Sequence, residues 1–250
     1  MRGRVALFLV GGAGLVALLL WGVGGLPGFG GYDHEYGRYL NANAVEQRHA
    51  TNVVAAVVFD YRGFDTLGEE FMLFAAVMGV TLLLRSQLGE EDEEGSSRER
   101  ADGRRAADTS DAVRVAALGL IGPVVLLGLY VVAHGQLTPG GGFQGGIVLA
   151  AAPLLLFLAG RYLLLRRVHP MHALDLTEGF GGGGFVVVGL VGLVAGSAFL
   201  ANVIGLGQVG SVFSGGTLPV LNLLVGLEVV AGVTLVLYEF LEQTLAMREG

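Results

Sequence analysis

The chain contains no cysteine and no lysine, and only 15% of its 250 residues are charged. Without cysteine there is no disulfide, no thiolate metal site and no Cys-ligated iron-sulfur cluster, which argues against redox chemistry carried by this chain itself. Without lysine there is no P-loop lysine and no Schiff base, and all 15 basic residues are arginine. The formal net charge of −7 argues against nucleic-acid binding, which needs a basic patch to neutralise phosphates. A soluble domain carries about 25% charged residues. Here 53% of the residues are hydrophobic, and they gather in long apolar runs. A run of about 20 such residues crosses a hydrocarbon core roughly 30 Å thick, so the composition predicts an all-α polytopic membrane protein.

The first run, Val5 to Val23, follows Arg2 and Arg4 as the core of a signal peptide would. It exceeds an h-region of about 7 to 15 residues, and Gly24-Gly25-Leu26-Pro27-Gly28 is a poor cleavage site, so it reads as a retained transmembrane helix. A second span is expected from Thr66 to Leu84. Further spans are expected at Val115 to Ala133, Phe143 to Leu164, Gly183 to Val203 and Leu218 to Leu237. Between the second and third, the composition switches to Glu, Asp, Arg, Ser and Gly, including Glu90-Glu91-Asp92-Glu93-Glu94. Such a stretch cannot bury a core and reads as a solvated linker over 86–114, between membrane modules at 1–85 and 115–250. No long-period repeat relates the modules. Spaced small residues such as Gly189-x-x-Gly192-x-x-x-Gly196 suggest close helix packing, since lipid supplies no hydrophobic drive and packing must.

Arginine placement sets the expected topology. Arg2 and Arg4, the linker arginines from Arg85 to Arg114, Arg161 with Arg166 and Arg167, and Arg248 fall on one side only if an even number of crossings precedes the linker. That condition selects six spans rather than seven, with the N-terminus, linker and C-terminus cytoplasmic. Val45 to Tyr61 is then re-entrant or lies along the outer interface, and His49, Asn52 and Asp60 form a polar stripe on a surface helix.

Several residues carry possible chemistry. Glu228 interrupts the last apolar run. An acidic side chain at mid-membrane costs about 2.5 to 3.5 kcal/mol on insertion scales, so Glu228 should face protein or water and either carry a proton or fix packing. Asp60, Arg62, Asp65, Glu69 and Glu70 cluster at one span entrance. They suit a helix start, with Asp65 or Thr66 as N-cap and Glu69 as its capping partner, or an acidic mouth that draws cations. His134 ends a span where an imidazole can shuttle protons. Pro139, Gly140, Gly141, Gly142, Gly145 and Gly146 surround a stretch with dinucleotide-binding glycine spacing, but no βαβ unit can form between two membrane spans. The alternatives are a tight turn using glycine for positive φ, or exposed backbone groups that coordinate an ion or a partner. His169 and His172 lack a further ligand nearby, so a metal site is a weak reading.

The stretch Gly135-Gln136-Leu137-Thr138-Pro139-Gly140-Gly141-Gly142-Phe143-Gln144-Gly145-Gly146 resembles the membrane signature of the MnhB component of multisubunit Mrp (Mnh) type Na+/H+ antiporters. Asn52 through Glu69, including Asp60-Tyr61-Arg62-Gly63-Phe64-Asp65-Thr66-Leu67-Gly68-Glu69, is similar to the C-terminal part of the large MnhA component, a part that also occurs as a small separate chain in related membrane-bound hydrogenases. The order is that of adjacent subunits fused together. One departure is that the family's His-Asn-Ala-Pro reads His134-Gly135-Gln136-Leu137-Thr138-Pro139 here, which bears against a direct proton role for His134. The resemblance implies a multi-pass subunit of a prokaryotic cell-membrane complex that exchanges H+ for Na+ without a cofactor. Its partners would be the other antiporter subunits and the lipid bilayer, and it would have no enzymatic activity in isolation. The competing expectation is a structural membrane-arm subunit of a hydrogenase-like or other respiratory complex. An independent transporter is disfavoured by the few internal polar positions and the lack of an inverted repeat.

Overall fold

The computed structural model describes residues 2–26, 34–85, 110–160, 171–195 and 197–247. The acidic stretch through Thr109, His169, the arginines at 161, 166 and 167, Gly196 and Arg248 lie outside these residues. The described residues form eight α-helices and no strand: α1 (Arg2–Gly24), α2 (Glu35–Arg48), α3 (Val53–Ala56), α4 (Gly63–Arg85), α5 (Asp111–Ala133), α6 (Gly142–Leu158), α7 (Met171–Val194) and α8 (Leu218–Met247). Five are long and apolar enough to cross a membrane, namely α1, α4, α5, α7 and α8, while α6 is a shorter apolar helix. The protein is thus an all-α membrane protein, and its described residues hold five long spans where six were expected.

Residues up to Tyr39 form a unit of their own. Its helix α1 is apolar on every side and none of its described side chains is buried within the chain. A helix apolar all round belongs in lipid or against other membrane helices.

In the second unit, from Leu40 onward, α8 is the central helix, packing against α4, α6 and α7, while α6 also packs against α5. The helix α4 thus packs against helices that follow residue 110, although 86–109 separate them in sequence. The ends sort cleanly. Asn222, one turn into α8, accepts from the Gly142 N–H at 3.0 Å, which brings the starts of α6 and α8 together. Gly63, at the start of α4, faces Leu200, just beyond the end of α7. Asn202, past the end of α7, bonds Gly215 and Thr217 just before the start of α8. The end of α4, the start of α5, the end of α6, the start of α7 and the end of α8 accordingly lie at the opposite end, so the described chain runs out toward 86–109, 161–170 and 248–250 from one end of this unit, with Arg48 and Arg62 at the other.

Several expected boundaries shift, among them the end of α8, at Met247 rather than Leu237. The span placed at Gly183 to Val203 is α7, which begins at Met171 and stops at Val194. Its polar first turns and run of glycines disguise a helix whose buried stripe Leu174, Glu178, Gly181, Phe185, Gly189 and Gly192 keeps the helical period. Gly189 and Gly192 do not meet a neighbouring helix, as their spacing suggested. A Cβ at Gly189 would collide with the Phe199 ring, and one at Gly192 would stand 2.6 Å from the Ala198 carbonyl, so these glycines admit the chain that folds back after α7. The span expected at Phe143 to Leu164 is α6, which ends at Leu158.

The surface helix expected over Val45 to Tyr61 is broken. α2 stops at Arg48, His49 turns at φ +50°, and Asn52 restarts the chain by capping α3, its Oδ1 accepting from the Val54 and Ala55 N–H groups. Val57–Tyr61 then continues as a π-helical turn closed by Arg62 N–H to Val57 C=O at 2.8 Å. The polar stripe dissolves with it. His49 Nδ1 lies 2.6 Å from the Gly207 carbonyl, Asn52 donates to the Gly135 and Thr138 carbonyls, and Asp60 pairs with Arg48. Nor does the expected capping box form. α4 starts earlier, at Gly63, with Arg62 preceding it and ion-paired to Asp65. Thr66 is buried and donates to the Val58 carbonyl, and Glu69 is exposed.

Candidate functional site: a buried glutamate cluster

Three helices bring three glutamates into one core. Glu70 sits two turns into α4, on the face shared with buried Thr66, Leu67 and Val77. Glu178 lies on the buried stripe of α7, and Glu228 stands ten residues into α8, about 15 Å along its axis. Their exposures are 1%, 3% and 1%. Sequence reasoning placed Glu228 alone at this depth, and the structure gives it two companions.

Glycine makes the room. A Cβ at Gly181 would lie 2.7 Å from the Glu228 Cβ and from the Leu224 carbonyl, and one at Gly182 would lie 3.0 Å from Glu228 Oε2. On α8, one turn beyond Glu228, Gly232 does the same for Glu178, whose Oε1 would be 3.1 Å from an added Cβ. The Glu70 and Glu228 carboxyls lie within side-chain hydrogen-bonding reach of each other. Neither Glu70 oxygen, nor Glu178 Oε1, nor Glu228 Oε2 has a hydrogen-bond donor. Buried acceptors left so are uncommon in folded proteins and call for a physical account. Two ionised carboxylates this close would repel, which disfavours both being charged at once. A cavity of about 170 Å³ adjoins all three glutamates and opens between α4 and α7. Farther along α8, at eleven residues or about 16 Å, Glu239 is also buried.

The residues singled out in the sequence divide into other environments. Asp60 meets Arg48 at 2.5 Å and is reached by Asn202 Nδ2 at 3.5 Å, with Arg48 stacked over Tyr61. Asp65 and Glu69 are exposed at the α4 entrance. His134 caps the end of α5, half-buried, its ring stacked on Tyr130 at 4.3 Å. Gly140 and Gly141 adopt φ of +152° and +139°, conformations that exclude side chains. Gly142, Gly145 and Gly146 then let α6 touch its neighbours, since a Cβ on any of them would lie within 2.7 Å of Asn222, Val132 or Val229 atoms. The turn's backbone groups are engaged by side chains, Gly142 N–H by Asn222 and the Gly135 and Thr138 carbonyls by Asn52. Among the described residues no group of three or more His, Asp or Glu has the arrangement to hold a metal ion.

Given its place at the end of α5, away from the glutamates, His134→Asn is expected to leave ion exchange by the assembled complex unchanged within error, because the ring stacks on Tyr130 and not on any of the three glutamates. Exchange rates of wild type and variant in vesicles decide this, and a clear loss would put the histidine on the ion route.

Comparison with known proteins adds a family. Residues 112–235 match the model of a domain related to the MnhB subunit of Na+/H+ antiporter, and residues 3–97 match the model of the MBH component MbhE. An uncharacterized protein of Methanocaldococcus jannaschii is 32% identical over 196 residues, which are 73% of this chain and 74% of that protein. Among solved structures, a chain of the membrane-bound sulfane sulfur reductase, an archaeal respiratory membrane complex, is 33% identical with a TM-score of 0.70, over 96% of this chain and 99% of that one. The Mrp complex from Dietzia sp. contains a chain 26% identical, with a TM-score of 0.65 over 96% of this chain. This chain spans only 26% of that one.

Proposed function

The chain belongs to the family of MnhB-related multisubunit Na+/H+ antiporter subunits, with an N-terminal part akin to MbhE, and from that premise we propose that it is a pathway-forming membrane subunit of a cation/proton antiporter. Its work is to help assemble the complex and to line the route of protons exchanged for Na+, driven by the proton-motive force, with no enzymatic activity of its own. One observation carries this reading: Glu70 and Glu228 meet in the core with unpartnered oxygens, and Glu178 stands beside them. A carboxyl pair sharing one proton accepts a second from one side and releases one to the other, and no redox group is needed for that step.

The native complex, purified and reconstituted into vesicles with a pH-sensitive dye, tests it. Addition of Na+ alone is expected to move protons. A second reading, a membrane-arm subunit of a respiratory complex, draws on the near-complete coverage of the sulfane sulfur reductase chain. Proton movement that appears only when an electron donor and acceptor are supplied would establish that reading in place of the first.

We further propose that the complex lies in the cell membrane with the linker, the 159–170 segment and the C-terminus in the cytoplasm, as the shared exit of the arginine-bearing segments supports. In this Cys-free chain a single Cys at Ser96 is expected to resist an impermeant thiol reagent in intact cells and to react in inverted vesicles. Labelling from outside would reverse the orientation.

A further inference from the structure

The cavity beside the glutamates opens sideways, through the outer face of the bundle, at a depth where a single-chain protein would meet hydrocarbon. Its mouth is bounded by Phe71 and Phe74 on α4 and by Gly179 and Gly183 on α7. Phe71 and Phe74 are 57% and 40% exposed, and a Cβ on either glycine would meet nothing within 4 Å. Within the unit from Leu40 onward, nothing therefore occupies the space above the two glycines, one helical turn apart. Behind the mouth are Glu70, Glu178 and Glu228, each almost fully buried and each with at least one oxygen that no donor reaches. The three helices that line the cavity carry no arginine or lysine inside their apolar spans. The cluster is thus acidic, and no arginine or lysine of these spans compensates it.

We propose that this mouth is the docking site for a transmembrane helix of a neighbouring subunit, which lays a basic side chain of lysine, arginine or histidine toward the glutamates. Charge complementarity selects the occupant. A lipid tail in the mouth would leave carboxyl oxygens against hydrocarbon, where each polar group without a partner costs several kcal/mol. A cationic side chain on a second helix satisfies the same oxygens and gives the proton a donor or acceptor across the interface. Two small residues at i and i+4 are what lets helix backbones approach closely in a membrane, where packing replaces the hydrophobic effect as the drive. The inference rests on the proton-route reading of the cluster, and its test separates the two.

Photoreactive benzoylphenylalanine is placed singly at Phe71, Phe74 and Met78, all exposed positions on α4, in the native complex. Illumination is expected to give an adduct with one other membrane subunit from at least two of the three positions. Its cross-linked helix should carry a Lys, Arg or His within one turn of the adduct. Neutralising that base is expected to lose exchange as Glu228→Gln does. Adducts with lipid alone, with a second copy of this chain, or with a helix lacking a base would each overturn the docking proposal. Exchange is read in the same membranes. Loss of exchange in Glu228→Gln without a cross-link to another subunit overturns the docking and leaves the proton route, whereas an adduct with normal exchange in Glu228→Gln overturns the route.

Discussion

Glu228→Gln is expected to slow Na+-dependent proton exchange by about ten-fold or more, a barrier change of about 1.4 kcal/mol or greater, while the complex still assembles. The amide keeps the size and hydrogen-bonding capacity of the carboxyl and still fits against Gly181 and Gly182, but it cannot take up and release a proton. Glu228→Asp retains a titrating group with a shorter reach and is expected to keep part of the activity. The structure extends the prediction to Glu70, since its carboxyl meets that of Glu228. Glu70→Gln should match Glu228→Gln, and the double variant should be little worse than either, because groups that act as a unit lose their function together. Glu69→Gln, one residue away but exposed, is the matched control and should be near wild type. Normal exchange in assembled Glu228→Gln and Glu70→Gln would leave the pair as a packing feature.

Which parts of this site the sequence could disclose depends on how each glutamate is surrounded. Glu228 stands out because apolar residues flank it for several turns, so its cost in lipid is visible by inspection. Glu70 is hidden by its neighbour. With Glu69 beside it, capping logic favours Glu69, yet only Glu70 falls in register with buried Thr66, Leu67 and Val77. The helical phase of α4 carried that signal. Glu178 is lost for a different reason: Asp175, Glu178 and the glycines from Gly179 to Gly184 lower the local hydropathy, which moved the expected span start past them. In α7 glycine is a packing residue that receives Glu228 and Leu224, and Gly is more frequent in membrane helices than in soluble ones. The break at His49 had no local signal at all. It rests on Asn52 reaching carbonyls more than 80 residues away, a tertiary bond that overrides local propensity. The apolar runs, by contrast, revealed the long helices directly, because length and hydropathy alone decide whether a segment spans.

Gly145→Ala is expected to have the largest effect on assembly. The α5 and α6 helices cross where Gly128 and Gly145 face each other. A Cβ at Gly145 would collide with Val132 Cγ2 and come within 2.8 Å of the Gly128 carbonyl oxygen and 2.9 Å of the Val132 nitrogen. Two of those three atoms are backbone, so a rotamer change cannot relieve the overlap and the helices must move apart. Separation also disturbs the α6–α8 contact next door, where Gly146 lies against Val229 and the Gly226 carbonyl. Overpacking of this kind costs about 1 to 3 kcal/mol, and in lipid no hydrophobic drive recovers the lost contacts. Gly119→Ala supplies the comparison on α5 itself, since a Cβ there meets nothing within 4 Å. Thermal melting of the purified complex and the fraction of chain recovered in it should fall for Gly145→Ala and stay near wild type for Gly119→Ala. Equal melting temperatures for the two variants would mean that the α5–α6 crossing tolerates a wider separation, and that close glycine contact is not what holds these helices together.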